Sequence, residues 1–333
     1  SSQSSAMQEM DMIREKDLLI HLPYESFDES VVNFLYSAAN DKDVLAIKQT
    51  LYRVSSSSPV VQALEKAVQN GKQVTVLMEV KARFDEANNI LMARRLEKAG
   101  AHVIYGLVGL KTHSKCTLVI RREKDGIRRY VHVATGNYNA STAKLYTDLG
   151  ILTCSDRFGI DASAFFNLLS GYSDPPIWDS FIVAPINLRQ RCIELIDREI
   201  HFAKNGEDAH MIAKMNSLLD KGIIEKLYEA SQAGVKIELI VRGICVLIPG
   251  IPGVSDNITV RSIVGRFLEH SRIFWFRNGG REELYISSAD WMPRNLNDRV
   301  ELMVPIEDPE IKRRLKQMVD IELSDNQKAH IMQ

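Results

Sequence analysis

A histidine and a lysine two residues apart are the side chains of this sequence best suited to chemistry on phosphate. His113 and Lys115 stand before a mostly apolar stretch, residues 116–120, which is typical of a buried strand. Side chains at positions i and i+2 of a strand point to one face of the sheet, so the imidazole and the ammonium should project together. An imidazole nitrogen can bond covalently to phosphorus while a fixed cation neutralises charge on the oxygens. The spacing indicates nucleophilic phosphoryl transfer, although a strand-edge histidine beside a solvated lysine would give the same pattern.

A second copy of this pair lies in the other half of the chain. His270 and Arg272 precede another apolar stretch, residues 273–276, and each copy is followed by a turn. Other segments also correspond between the halves, namely 46–48 with 212–214, 64–71 with 227–234, 72–78 with 235–241, and 136–139 with 285–290. Two similar halves that each carry such a pair predict one composite site, since ligand sites often form where domains meet.

The elements that must hold these pairs alternate between strands and helices. Buried-strand patterns occupy residues 44–48, 74–80 and 102–105. One helix should begin at Pro59 with Ser58 as its N-cap and end at Asn70, because proline suits the first helical position. Gly71 then supplies the backbone freedom that a helix end needs. The strand–helix–strand order predicts an α/β fold with a partly parallel sheet.

Three regions follow from this organisation. Residues 1–40 form a lead-in helix region, residues 41–175 a first catalytic domain and residues 176–333 a second domain, with the linker passing through Pro175 and Pro176. A helix over 188–204 should open the second domain, and the amphipathic stretch 309–333 should close it. Each domain is long enough to bury its own core.

Composition restricts the classes of function. The chain has 333 residues, 45% of them hydrophobic, and a formal net charge of -1, so affinity for a polyanion must come from local clusters. The four cysteines are scattered, which argues against a disulfide framework or a zinc site. No apolar stretch reaches the length of a membrane span, and no signal-peptide core is present. We expect a cytoplasmic protein, with peripheral contact at the inner membrane face left open.

Longer stretches carry a resemblance to a known family. The paired strands resemble the phospholipase D superfamily, but Ile120 stands where the histidine–lysine–aspartate motif of that superfamily has its aspartate. Longer sequence motifs along the chain resemble those of the polyphosphate kinases of the phosphohistidine type. The stretches that carry it are residues 23–27, 47–53, 81–85, 110–113, 135–139, 145–148, 241–243, 268–272 and 287–292. Leu22 and Ala134 are small departures, where a histidine and a glycine are usual.

The resemblance runs from residue 14 to residue 329 and covers only the two C-terminal catalytic domains of that family. We therefore expect the chain to be the catalytic half of a longer enzyme. The resemblance implies an α/β fold of two similar phospholipase D-like domains, packed with pseudo-twofold symmetry. It also implies reversible transfer of the terminal phosphate of ATP to polyphosphate, with magnesium, through a phosphorylated His113.

The resemblance assigns further roles. It gives nucleotide contacts to Tyr146, Arg242 and His270, and it places Arg53 and Arg83 near the magnesium ion. A guanidinium has no lone pair to offer a cation, so we expect Arg53 and Arg83 to bind phosphate oxygens that the metal also touches. The partners are then polyphosphate and ATP or ADP, with no nucleic acid expected and a homo-oligomer for the intact enzyme.

Four residues are predicted to carry the chemistry. His113 is the nucleophile, His270 assists, and Lys115 and Arg272 clamp phosphate. Two other functions compete with this one: a phospholipase D-like phosphodiesterase or nuclease, which the missing aspartate disfavours, and a non-catalytic module that binds polyanions.

Two groups of polar residues keep alternative interpretations. Asn137 and Asn139 either orient phosphate or cap a turn. Four arginines flank the hairpin predicted at Asp125 and Gly126, and a solvated hairpin is preferred over a path for polyphosphate. They are Arg121, Arg122, Arg128 and Arg129.

Overall fold

The computed structural model describes residues 13, 18–21, 31–51, 58–78, 86–105, 111–112, 115–134, 149–171, 178–262 and 272–330. The chain divides into two compact units, Ser1–Phe181 and Ile182–Gln333. The domain limits derived from the sequence, with the change of domain after residue 175, stay a prediction.

The first unit contains a mixed sheet and four helices among its described residues. The strands are β1 (Leu18–His21), β2 (Val44–Leu51), β3 (Gln73–Met78), β4 (His102–Tyr105), the two-residue β5 (Lys111–Thr112), β6 (Lys115–Glu123), β7 (Gly126–Ala134) and β8 (Leu149–Thr153). The helices are α1 (Asn33–Asn40), α2 (Pro59–Gln69), α3 (Glu86–Ala99) and α4 (Asp156–Leu169). The sheet order is β1-β8-β7-β6-β2-β3-β4, with β2, β3 and β4 parallel and the remaining neighbours antiparallel.

Helix α2 shows how local sequence sets these limits. It begins at Pro59, ends at Gln69 and is followed by Gly71 at φ 83°, so the predicted helix is confirmed. Val61 and Leu64 lie on its buried face. Ser58 occupies the N-cap position as predicted, and its side chain makes no capping hydrogen bond within the described part of the chain.

The second unit is built in the same way. Its strands are β9 (Ile182–Ala184), β10 (His210–Met215), β11 (Lys236–Val241), β12 (Ile258–Arg261), β13 (Arg272–Phe276), β14 (Glu283–Ser287) and β15 (Arg299–Pro305). Its helices are α5 (Leu188–Lys204), α6 (Lys221–Ala233), α7 (Pro293–Asn297) and α8 (Pro309–His330), and a 3₁₀ turn covers Asn278–Gly280. The predicted helices 188–204 and 309–333 are confirmed, the second of them over Pro309–His330.

The order of strands demonstrates the internal repeat. In the second unit it is β9-β15-β14-β13-β10-β11-β12, which matches the order of the first unit strand for strand. Strand β6 therefore corresponds to β13, and β2 corresponds to β10. The repeat inferred from the two histidine-bearing strands is confirmed at the level of topology.

The register corrects one detail of the sequence comparison. Lys48 of β2 lies opposite Leu118, and Ile212 of β10 lies opposite Trp275. Leu118 and Trp275 each stand three residues beyond the start of their strand, so Lys48 corresponds to Ile212. Matching residues 46–48 to 212–214 was therefore wrong by two positions, and the counterpart of Lys214 is Thr50.

Each unit has its own apolar core. In the first unit, α1, α2 and α3 contribute Phe34, Leu64 and Leu96, which join Ile47 and Val76 of the sheet. In the second unit, the comparable cluster includes Leu195, Leu227, Ala213, Leu239 and Phe274. Burying one large apolar side chain stabilises a fold by about 1.5–3 kcal/mol, so these clusters hold the strands that carry the candidate site. Within the described residues, no helix combines the length and apolar character that crossing a membrane requires.

Candidate active site

The first residue of a central strand is a buried cation in both units. Lys115 begins β6 and is 4% exposed, and Arg272 begins β13 and is 8% exposed. A solvated strand charge is therefore the wrong interpretation for either side chain. Since β6 and β13 occupy the same place in the two sheets, these cations are equivalent positions of the repeat.

Most of the other candidate residues fall outside the described residues. They are His113, His270, Arg53, Arg83 and Tyr146, and their roles stay predictions. Arg242 is described: it directly follows β11, and its side chain is exposed. Its place after the carboxyl end of a parallel strand is where ligand sites of α/β sheets gather.

The guanidinium of Arg272 is held by Asp290. Its Nε donates to Asp290 Oδ1 at 2.9 Å, and Nη2 lies 3.5 Å from Oδ2. Asp290 is itself 6% exposed, and its Oδ1 also accepts from the backbone N–H of Asn216 at 2.8 Å. The carboxylate therefore fixes the orientation of the cation and ties the loop after β14 to the end of β10.

Asp290 was not among the predicted site residues, although the correspondence of residues 285–290 with 136–139 could have identified it. Arg272 pairs with Ser287, and Lys115 pairs with Ala134. Three residues beyond these partners stand Asp290 in the second unit and Asn137 in the first. The carboxylate thus has an amide as its counterpart, and the role of Asn137, which lies outside the described residues, stays a prediction.

A buried polar network fixes the beginning of β6 in the first unit. The Cys116 N–H donates to Thr50 Oγ1 at 2.9 Å, and Thr117 Oγ1 donates to Gln49 Oε1 at 2.6 Å. Gln49 Nε2 closes the network by donating to the backbone oxygen of Thr50 at 3.1 Å. Satisfied buried networks hold a strand in one arrangement, so Lys115 projects from a rigid support. Burial also raises the pKa of the Cys116 thiol, so this cysteine is a packing residue and not a nucleophile.

The second unit buries two carboxylates that the sequence analysis did not single out. Glu301 of β15 is fully buried and accepts from Ser288 Oγ at 3.2 Å. Glu322 of α8 accepts from Lys214 Nζ at 2.8 Å, and that lysine is fully buried on β10. Both carboxylates are buried inside the unit, where a hydroxyl or an ammonium group takes the place of water as the hydrogen-bond donor.

Two of the four hairpin arginines of the first unit are engaged with carboxylates. Arg121 binds Asp41 at 2.9 Å and Glu123 at 3.1 Å, and its side chain is only 13% exposed. Arg128 binds Glu123 and Asp125, each at 2.8 Å. A solvated hairpin was therefore wrong for Arg121, and the neighbouring acids make this hairpin a poor path for polyphosphate.

The fold defines the class of protein. A phosphatidylserine synthase of Haemophilus influenzae matches 97% of this chain and 90% of its own chain with a TM-score of 0.59 at 12% identity. A yeast tyrosyl-DNA phosphodiesterase matches 87% of each chain with a TM-score of 0.51 at 9% identity. Likeness at such low identity concerns the fold alone, and it confirms two α/β units of the phospholipase D-like type.

Two family models identify the family. Residues 8–175 match polyphosphate kinase C-terminal domain 1, and residues 181–333 match polyphosphate kinase C-terminal domain 2. The chain belongs to the polyphosphate kinase family, which confirms the resemblance drawn from its motifs.

Individual proteins similar to this chain are also polyphosphate kinases. Polyphosphate kinases of Halalkalibacterium halodurans and Synechocystis sp. are 60% and 57% identical over 96% and 97% of this chain. The crystal structure of polyphosphate kinase from Porphyromonas gingivalis matches 95% of this chain with a TM-score of 0.88 at 42% identity. The chain spans 45% and 44% of the two curated relatives and 48% of the solved one, so it covers somewhat less than half of each.

Proposed function

We propose that this chain performs the phosphoryl-transfer steps of a polyphosphate kinase, moving the terminal phosphate of ATP to polyphosphate and back. The observation that supports this most is the buried cation at the start of β6 and again at the start of β13. Each stands two residues after a histidine, in a chain of this family.

The transfer takes place in two displacements. A neutral ring nitrogen of His113 attacks the terminal phosphorus of ATP, the new N–P bond forms, and the P–O bond to the leaving ADP breaks. The terminal oxygen of a polyphosphate chain then attacks the same phosphorus and restores the free imidazole. Lys115 and Arg272 neutralise the oxygens of the transferring group, and Asp290 acts as a positioning residue through Arg272.

His270 assists as a hydrogen-bond donor and does not carry the phosphoryl group covalently. Its partner two residues on is Arg272 and not a lysine, so the two halves are chemically unequal. The leaving group is a nucleoside diphosphate, a weak base that needs little proton donation, so a protonated imidazole would act mainly as a charge-assisted donor. Tyr146, Arg242 and His270 contact the nucleotide in this proposal, and Arg53 and Arg83 bind phosphate oxygens.

Magnesium enters with the nucleotide. In the part of the chain that the structure describes, no three His, Cys, Asp or Glu side chains come together to hold a metal ion. None of the described side chains is therefore assigned to the ion. Magnesium commonly binds through substrate phosphates, which agrees with treating it as part of the ATP substrate. A cytoplasmic location, a homo-oligomeric intact enzyme and the lack of nucleic-acid binding belong to the same proposal.

The test is an assay of transfer in both directions. The chain is incubated with ATP and short polyphosphate, then with ADP and long polyphosphate, and growth of polyphosphate and formation of ATP are measured. Plasmid DNA and phospholipid are offered in parallel. Transfer without hydrolysis of either is expected, whereas hydrolysis without transfer would favour a phosphodiesterase. Binding of polyphosphate without either reaction would favour the non-catalytic module.

A further inference from the structure

The second unit carries a groove at the end of β13 that lies away from Arg272. It is formed by the turn after β13 and the first turns of α8, and its volume is about 740 Å³. Strand β13 has five residues, so at about 3.3 Å per residue the groove lies roughly 15 Å along the sheet from the proposed phosphate clamp. The groove is thus separate from Arg272, the described residue of this unit that is assigned to phosphoryl transfer.

The lining of this groove is positively charged. Four cations line it, against two carboxylates, Glu282 and Glu283. The cations are Arg281, Lys312, Arg313 and Lys316. Glu283 is bound by the guanidinium of Arg198 at 2.9 and 3.0 Å, and Glu282 accepts from the Trp275 indole N–H at 3.2 Å. Both lining acids are therefore already engaged.

The four cations differ in whether a neighbouring carboxylate offsets their charge. Arg313 and Lys316 are paired with acids of α8 at 2.6 and 2.9 Å. Neither Arg281 nor Lys312 has a carboxylate partner among the described residues, and Lys312 Nζ donates to the backbone oxygen of Glu282 at 3.0 Å. That contact sets the ammonium at the wall of the groove without neutralising it.

The wall that carries Arg281 is rigid. The preceding turn has left-handed backbone at Asn278 and Gly279, with φ 49° and 63°. A Cβ at position 279 would come within 2.8 Å of the Phe202 ring, so only glycine fits there. The Asn278 N–H also donates to the fully buried Glu199 at 3.0 Å. The groove is therefore a built feature of the fold and not a chance gap between side chains.

The described lining of the groove contains no aromatic side chain, which argues for a ligand without bases. The nearest aromatic cluster lies behind Lys316. The Lys316 ammonium lies 4.4 Å from the centre of the Trp275 ring, and the His210 ring packs edge-on at 4.9 Å from it. Proteins that bind single-stranded nucleic acid commonly stack bases on open aromatic faces, whereas here a cation already covers the ring. A linear polyphosphate needs only cations along its path.

We propose that this groove binds a stretch of inorganic polyphosphate at the end of β13 away from Arg272. The proposal rests on the function proposed above. Holding a long chain at a second place raises its effective concentration at the first, so the groove should favour long chains over ATP or tripolyphosphate.

The test localises binding by chemical footprinting of the full chain. Lysines are modified with an amine-reactive reagent in the presence and absence of long-chain polyphosphate, and modified positions are identified by mass spectrometry. We expect polyphosphate to protect Lys312. Lys221 of α6, whose side chain is 90% exposed, is the internal control and should react equally in both samples.

Charge reversal supplies a second readout. Arg281→Glu and Lys312→Glu should each weaken binding of long-chain polyphosphate several-fold. Each should also lower the slope of log affinity against log salt by about 0.7–0.9, as the loss of one phosphate contact does in nucleic acids. Binding of ATP should not change. Arg314→Glu is the matched control, because Arg314 is exposed on the same helix but does not line the groove.

Three results would overturn the proposal: unprotected Lys312, equal weakening in Arg314→Glu, or stronger protection by an RNA oligonucleotide or poly-glutamate than by polyphosphate. The last result would indicate a nucleic acid or an acidic protein as the occupant. Neither readout requires turnover, so a chain that fails to transfer phosphate but protects Lys312 refutes the proposed function alone. A chain that transfers phosphate with Lys312 unprotected refutes the groove alone.

Discussion

Arg272 and Asp290 form a buried ion pair at the start of β13 in the second unit. The carboxylate accepts hydrogen bonds from the guanidinium Nε at 2.9 Å and from the Asn216 N–H at 2.8 Å. Removing one partner of a buried pair leaves an uncompensated charge, which typically costs about 3–5 kcal/mol. Asp290→Ala should therefore lower the free energy of unfolding by about that amount, measured by urea denaturation.

The control for this substitution is an exposed ion pair of the same unit. Arg313 and Glu310 lie 2.6 Å apart, and both side chains are more than half exposed, at 56% and 55%. Glu310→Ala should change stability by no more than about 1 kcal/mol. Equal effects of Asp290→Ala and Glu310→Ala would contradict the structural role assigned to the buried pair.

A milder substitution separates positioning from folding. Asp290→Asn keeps an oxygen that can accept from Asn216 but removes the charge that orients Arg272. If Arg272 clamps the transferring phosphate, kcat should fall about tenfold to a hundredfold while KM for ATP stays nearly constant. A rise in KM with unchanged kcat would show that Asp290 does not position a group for the transfer step.

His132 should make the stability of the first unit depend on pH. It is fully buried in β7, and burial lowers its pKa to about 3 by disfavouring the imidazolium. A histidine in the unfolded chain has a pKa of about 6.5, so between these two pKa values the unfolded chain binds a proton that the folded chain does not. The free energy of unfolding should then fall as pH falls from about 6.5 to 3, by up to about 1.4 kcal/mol per pH unit.

The effect is measured as the slope of the free energy of unfolding against pH. In His132→Gln the contribution of this residue to the slope should disappear, whatever the change in absolute stability. His102→Gln is the control, since His102 is exposed on β4. The same slope in the parent and in His132→Gln would contradict the assignment.

The close packing of His132 leads to another prediction. A Cβ at Gly150 would lie 2.5 Å from His132 Nε2, so Gly150→Ala should destabilise the unit by about 1–3 kcal/mol through overpacking. Gly222→Ala in the first turn of α6 is the control, because the nearest atom there, Asp220 Oδ2, is 3.6 Å away. Thermal melting should show a lower Tm for the first variant only. A Tm equal to that of the parent for Gly150→Ala would contradict the contact.

Local signals in the sequence predicted much of the fold. The limits of α2 followed from Pro59 and Gly71, and β4 and α5 have the predicted bounds, because capping and periodicity act over a few neighbouring residues. The correspondence of Lys48 with Lys214 was wrong by two positions. A displacement by two keeps every side chain on the same face of its strand, so the apolar pattern alone cannot detect it.

Contacts between distant residues were the part of the site that could not be predicted. Arg121 binds Asp41, which is 80 residues away, and Arg272 binds Asp290 across a hairpin, 18 residues away. Neither pairing produces a pattern in the sequence. The strand starts themselves were predictable, because a histidine and a cation two residues apart before an apolar stretch form a local signal.

His113 is proposed to carry the phosphate, and labelling with terminally labelled ATP identifies the residue that does so. The chain, His113→Ala and His270→Ala are mixed with the nucleotide, quenched rapidly, and the labelled residue is mapped. We expect a label on His113 that survives base and is lost in acid. His113→Ala should take up none, and His270→Ala should label about a hundredfold to a thousandfold more slowly, as loss of one charge-stabilising donor usually does. A stable label on Ser or Thr, or undiminished labelling of His113→Ala, would show that His113 is not the carrier.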